Sequence, residues 1–227
     1  RMEQLSLAGA WRIHSADGRY DLSGLVPGSL FHALEQRGDF GPRGVFYREN
    51  NRLCLEVADR DFAFERQVSL PAALLEGRDR RLFLEADGLD TLAVVSLNGV
   101  EVGRGANMHR RWRWDVTDHL RSGDNDLSIL FANSLDYVRR THARRKLWHA
   151  YWGQPAYAFP GFNAIRKSHC SYGWDWGPII PDVGIWRDIR IVACDGARLG
   201  GVHVVQEHDK GEVTLAITPA IEAWGSG

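Results

Sequence analysis

Cysteine is scarce in this chain, net charge is almost missing, and no long apolar run occurs. The three cysteines, Cys54, Cys170 and Cys194, are odd in number and lack the C-x-x-C spacing of a zinc or redox centre. They read as small buried hydrophobes in a reduced compartment. No stretch approaches the length of a membrane span, and residues 1–25 lack the basic, apolar and small-residue zones of an export signal. A cytoplasmic location and no membrane partner are the corresponding expectations. The 28 basic residues nearly cancel the 29 acidic ones, so the whole-chain field gives no reason to expect nucleic acid. Phosphate loops, serine-hydrolase elbows, metal-ligand spacings, internal repeats and low-complexity tracts are also missing. No cofactor or metal is expected.

What the chain does have is aromatic weight. It holds nine tryptophans in 227 residues, five of them between Trp148 and Trp186. The densest run is Gly173-Trp174-Asp175-Trp176-Gly177-Pro178, which sets a carboxylate between two indoles. An indole face packs on the apolar C–H face of a pyranose, and a carboxylate accepts hydrogen bonds from two neighbouring hydroxyls. The competing reading is core packing, the commoner fate of tryptophan in a β-protein.

Most of the sequence from Phe62 to Phe131 reads as short strands. Phe62, Phe64, Val68 and Leu70 share a period of two broken by Arg66, and Ala93, Val95 and Leu97 alternate into Asn98-Gly99, a type I′ hairpin signal. Trp112, Trp114 and Val116 follow, then Leu127, Ile129 and Phe131 after a turn at Gly123-Asp124-Asn125. Strands spaced this regularly predict an all-β sandwich rather than βαβ units. One or two short helices are expected: one capped by Ser29 and stopped by Gly38, another beginning near Ser134. The second carries Arg139, Arg140, Arg144, Arg145 and Lys146, read as a solvated face or as partners of acidic neighbours. From Ala150 to Pro181 alternation fails, which places the ligand-facing surface there. Gly200-Gly201 reads as a domain junction, beyond which Val202 and Val204, then Val213, Leu215 and Ile217, alternate about a turn at Asp209-Lys210-Gly211.

The chain resembles the N-terminal portion of β-mannosidases of glycoside hydrolase family 2. The resemblance rests on separated segments that cover nearly the whole chain: Leu7-Ala8-Gly9-Ala10-Trp11, Val26-Pro27-Gly28, Gly88-Leu89-Asp90-Thr91, Leu97-Asn98-Gly99 and Asn107-Met108-His109-Arg110-Arg111. It continues through Trp112 to Thr117, Ile165-Arg166-Lys167, the Trp-Asp-Trp run and Gly184-Ile185-Trp186-Arg187. One departure is Asp61-Phe62-Ala63-Phe64, where relatives tend to carry Asp-Trp before an aromatic pair.

The resemblance implies a galactose-binding-like jelly roll over residues 1 to 198 and the opening strands of an immunoglobulin-like domain over 199 to 227. It implies a retaining mechanism with two glutamates on a (β/α) barrel that lies later in the polypeptide, so no residue of this chain is assigned a catalytic role. Trp174 and Asp175 are carried over as substrate-binding positions that complete the barrel's sugar pocket. Arg166, Lys167 and His169 are candidates to orient them, and Trp176, Trp186 and Trp11 are assigned mainly to the core. Trp176 is kept as a possible support. His169 beside Cys170 looks like a nucleophile pair, but neighbours on a strand face opposite ways. The expected partners are a β-mannoside and the barrel. Two other readings stand: an autonomous carbohydrate-binding module, or an assembly domain docking through Arg139 to Lys146.

Overall fold

A computed structural model describes residues 2–147, 159–174 and 177–225. The early strands are β1 (Met2–Ser6), β2 (Gly9–Ser15), β3 (Asp21–Val26), β4 (Phe62–Leu70), β5 (Arg80–Ala86), β6 (Leu89–Asp90), β7 (Leu92–Leu97) and β8 (Val100–Ala106). Next come β9 (Trp112–Asp115), β10 (Gly123–Phe131), β11 (Tyr172–Trp174), β12 (Gly177–Ile179), β13 (Gly184–Ile185), β14 (Ile189–Asp195), β15 (Ala197–Asp209) and β16 (Glu212–Ala223). A six-stranded sheet has the order β3-β2-β4-β10-β7-β8, and a four-stranded sheet has the order β1-β14-β5-β9.

Alternation explains why these strands bury one face. Ile13, Phe64, Val95 and Ile129 of the larger sheet and Leu84, Ala86 and Ile191 of the smaller one belong to a single core cluster. At the centre, the rings of Phe64 and Phe131 meet edge to face at 5.2 Å, a favoured arrangement for two quadrupoles. The break at Arg66 has a specific cause: its guanidinium donates to the carbonyls of Leu7 at 2.7 Å and Ala8 at 2.6 Å. It thereby serves backbone acceptors where β1 crosses to β2.

The Asn98-Gly99 turn forms as expected, with φ of 51° and 80°. Asn98 Nδ2 also donates to Asn125 Oδ1 at 2.9 Å and to the His119 carbonyl at 2.8 Å, tying the hairpin to the turn before β10.

Among the described residues four α-helices accompany the sheets rather than one or two: α1 (Leu30–Arg37), α2 (Asn50–Ala58), α3 (Ala72–Leu75) and α4 (Ser134–Arg144). α1 begins and ends where its signals place it. Ser29 Oγ accepts from the His32 amide at 3.3 Å, and Gly38 closes it at φ 91°. α2 has no such start signal, since the side chain of its cap residue Glu49 makes no capping hydrogen bond, and α3 is a single turn. In α4, Arg139 pairs with Asp59 and Arg140 with Asp136. Those two arginines are partners of acidic neighbours. No described helix is long and apolar enough to cross a membrane.

β15 and β16 form a hairpin of their own, turning at Lys210-Gly211 with an irregularity at Leu199/Gly201. Its apolar side chains, Val202, Val204, Val213, Leu215 and Ile217 among them, are exposed. Its root is fastened to the smaller sheet by Trp224, which meets Phe83 at 5.6 Å and donates from Nε1 to the Asp79 carbonyl at 2.6 Å. Arg113 reinforces the join by donating to Glu222 at 3.0 Å.

Candidate functional site

The Trp-Asp-Trp run lies at a hairpin. β11 pairs antiparallel with β12, Tyr172 opposite Ile179 and Trp174 opposite Gly177, so Asp175 and Trp176 occupy the connection and lie outside the described residues. Trp174 ends β11 with 37% of its surface exposed, whereas Tyr172, at the hairpin's base, is fully buried. The sequence thus runs from an anchored ring to an exposed indole within one short strand.

Backbone bonds fix the base. The Phe159 amide donates to the Tyr172 carbonyl at 2.8 Å and the Ile180 amide to the Ser171 carbonyl at 2.9 Å. The rings of Phe159 and Tyr172 are tilted at 6.1 Å, and burial pushes the Tyr172 phenol up, which keeps it neutral.

Beyond β12 the chain reaches Asp182, whose Oδ1 accepts from the amides of Val183 at 2.8 Å and Phe31 at 3.1 Å. The Leu30 amide donates to the Val183 carbonyl at 2.8 Å. A carboxylate is therefore set at the first turn of α1, where free amides and the helix dipole favour negative charge. Burial nevertheless pushes the Asp182 carboxyl up, opposed by the Ser29 hydroxyl, these two amides and the Lys167 ammonium.

Of the three proposed orienting residues, Lys167 is the one drawn inside. It is 2% exposed, pairs with Asp90 on β6, and donates to the Asp182 carbonyl at 2.6 Å. Arg166 has an exposed side chain and is held through its backbone, its carbonyl accepting from the Met108 amide at 2.9 Å. His169 and Cys170 sit in a 3-10 turn, His169–Ser171, rather than on a strand, and both are exposed. The strand argument against a nucleophile pair is replaced by direct geometry: the His169 ring meets Phe162 edge-on at 5.0 Å, while Cys170 Sγ lies 3.0 Å from Ser168 Oγ. Cys54 and Cys194 are buried as expected, but Cys170 is not. Its position on a surface turn is the reason.

Trp11 is core, with Nε1 donating to the Leu7 carbonyl at 2.9 Å. Trp186 is half-buried, its Nε1 donating to the Met108 carbonyl at 3.2 Å and its ring covered by Arg187 at 4.1 Å. A concavity away from this hairpin, bordered by Arg111, Arg113, Arg190 and Arg198, carries its own counter-ions. Arg190 pairs with Asp87 and Glu85, each at 2.9 Å, and Arg198 with Glu222 at 3.0 Å. Among the described residues no cluster of His, Cys, Asp and Glu could hold a metal ion.

Asp90 and Asp182 carry no local sequence signal for their role, because their partners are remote in the chain. Only the segment Gly88-Leu89-Asp90-Thr91, already noted for its resemblance, pointed toward one of them.

A family model described as the glycosyl hydrolase 2 galactose-binding domain-like domain matches residues 11–187. The chain is 35% identical over 195 residues to a β-mannosidase of Capra hircus, covering 83% of this chain and 21% of that one. A Bos taurus β-mannosidase is 34% identical over 199 residues, with 85% and 22% covered. The chain therefore spans about a fifth of the length of these curated relatives. Among solved structures, the β-D-mannosidase of Dictyoglomus thermophilum aligns with a TM-score of 0.85 at 25% identity, over 97% of this chain and 26% of that one. A β-glucuronidase from an uncultured Clostridium sp. shares the fold, with a TM-score of 0.62 at 16% identity over 98% and 34% of the two chains. With its sandwich and most of its length matched, the chain belongs to the glycosyl hydrolase 2 galactose-binding domain-like family.

Proposed function

We propose that this chain is the sugar-binding jelly roll of a longer, retaining β-mannosidase, spanning residues 1 to 198, with residues 199 to 227 opening an immunoglobulin-like domain. It contributes no catalytic carboxylate. Trp174, at the end of β11, and Asp175, next in the chain, wall the sugar pocket of a catalytic barrel elsewhere in the polypeptide. Asp175 accepts from hydroxyls remote from the scissile bond, and Trp174 packs on the sugar's apolar face. A carboxylate built for a hydroxyl pair rejects epimers that leave it unpaired.

The observation that carries this reading is the hairpin itself, exposed at Trp174 and buried at Tyr172. Chain similarity to the named β-mannosidases supports the substrate class. The test is Trp174→Ala in the full-length protein, with hydrolysis of an aryl β-mannoside measured beside the 227-residue chain alone. The variant is expected to lose at least tenfold in kcat/KM, and the isolated chain to show no hydrolysis. Undiminished kcat/KM in the variant would remove the pocket role. Low-micromolar binding of mannooligosaccharides by the isolated chain would favour an autonomous binding module instead.

A further inference from the structure

The β11–β12 hairpin is too small to orient itself. Its ladder holds two residue pairs, and a two-stranded hairpin is marginal without outside support. Whatever sets the direction of the paired strands must act on the two segments that enter and leave them. Lys167 stands just before the hairpin, and Asp182 just after.

One ammonium joins them. Lys167 Nζ donates across the neck to the Asp182 carbonyl at 2.6 Å, and it also pairs with Asp90 in the sandwich. Asp90 is itself held: its backbone lies in the β6–β13 ladder opposite Gly184, and its Oδ1 accepts from the Thr91 hydroxyl. Asp182 in turn is bound through its carboxylate to α1. The neck of the hairpin is thus closed and tied to β6 and α1 by directional, charge-assisted bonds.

Stability alone is a poor reason for this arrangement. Desolvating a lysine and an aspartate consumes most of what their attraction returns, and apolar residues of similar size commonly serve as well. Apolar packing does not, however, fix direction as an ammonium with two named acceptors does. We propose that Lys167 and Asp90 are positioning residues that hold the β11–β12 hairpin at the sugar pocket proposed for Trp174 and Asp175. This rests on the pocket reading given above. Neither residue touches substrate; both act through the hairpin.

The test uses the full-length protein in five forms: wild type, Asp175→Ala, Lys167→Met, the double variant Lys167→Met with Asp90→Asn, and the triple combination of that double variant with Asp175→Ala. The double variant removes both charges, keeps an acceptor for Thr91, and avoids the lone buried carboxylate that Lys167→Met leaves behind. Thermal unfolding is recorded for each form, and kcat and KM for an aryl β-mannoside are measured well below the transition. The double variant is expected to recover most of the stability that Lys167→Met loses, yet to show a five- to twentyfold lower kcat/KM on the order set by a displaced binding group.

In the triple variant the two losses should not multiply, since both remove the same contact. A merely structural role would lower stability and leave no such coupling. If Asp175→Ala lowers kcat/KM but the double variant keeps the wild-type value, or if the losses multiply fully, the positioning role is overturned while the pocket reading stands. If Asp175→Ala itself has wild-type kcat/KM, both fall together.

Discussion

Replacing Lys167 by Met tests the interior of the fold most sharply. The change keeps much of the side-chain volume and removes only the ammonium. It leaves the Asp90 carboxylate, 9% exposed, with the Thr91 hydroxyl in place of its counter-ion, and strips the Asp182 carbonyl of a donor. Breaking one partner of a buried pair costs about 3–5 kcal/mol, because the remaining charge is stranded away from water. In a domain of this size that corresponds to roughly 6–20 °C in Tm. Adding Asp90→Asn removes the stranded charge, so the double variant should recover to within about 1–3 kcal/mol of wild type, the residue being an unmet carbonyl. Urea unfolding of the chain followed by tryptophan fluorescence measures both quantities. A single-variant loss below about 1 kcal/mol, the range of a solvated surface pair, would refute the reasoning, as would a double variant no better than the single one.

Three further outcomes follow from local geometry. A Cβ at Gly103 falls 2.0 Å from Trp114 Nε1, so Gly103→Ala should displace that indole, cost about 1–3 kcal/mol and shift tryptophan emission; unchanged emission and stability would contradict the packing. Thiol labelling mapped by peptide mass spectrometry should modify exposed Cys170 first, with Cys54 and Cys194 protected. Burial pushes the Cys54 thiol up to about 12, which withholds the reactive thiolate; equal labelling of all three would count against the core. The Ser15 hydroxyl, then the Arg19 amide and Arg60, lower the Asp17 carboxyl from 3.8 to about 2. Because the folded value lies below the unfolded one, this contribution is complete above 3.8 and lost as pH falls toward 2. Asp17→Asn should therefore flatten the acid limb of the stability profile in that window, and an unaltered limb would exclude the interaction.

The legible parts of the fold are those written in local periodicity. Phe64, Val95 and Ile129 alternate in sequence and are buried in structure, and Ser29 and Gly38 bound α1 as capping chemistry dictates. α2 escaped because Glu49 supplies no cap bond, so nothing local marks its start. Arg66 broke the period of β4 for a reason found only in three dimensions: two carbonyls at the β1–β2 junction await it.

The site divides in the same way. Its segment was visible as a cluster of aromatics and glycines, but the failed alternation hid the short β11–β12 hairpin, at whose first strand Trp174 stands exposed. Its support was not. Lys167 reads as one more charge beside Arg166 and His169, yet it alone of the three goes inside, because Asp90 and the Asp182 carbonyl converge there from remote parts of the chain. Long-range pairing of single polar residues leaves no periodic trace. His169 and Cys170 show the converse: their adjacency suggested a strand argument, but the backbone there turns as a 3-10 helix.

The pocket role of Asp175 is tested most directly by kcat/KM of the full-length Asp175→Ala variant on an aryl β-mannoside, with thermal unfolding as the control for folding. Loss of charge-assisted bonds worth about 1.5–3 kcal/mol each predicts a fall of roughly 10- to 150-fold per bond at unchanged Tm. A variant of wild-type stability that hydrolyses the mannoside at wild-type kcat/KM would contradict it.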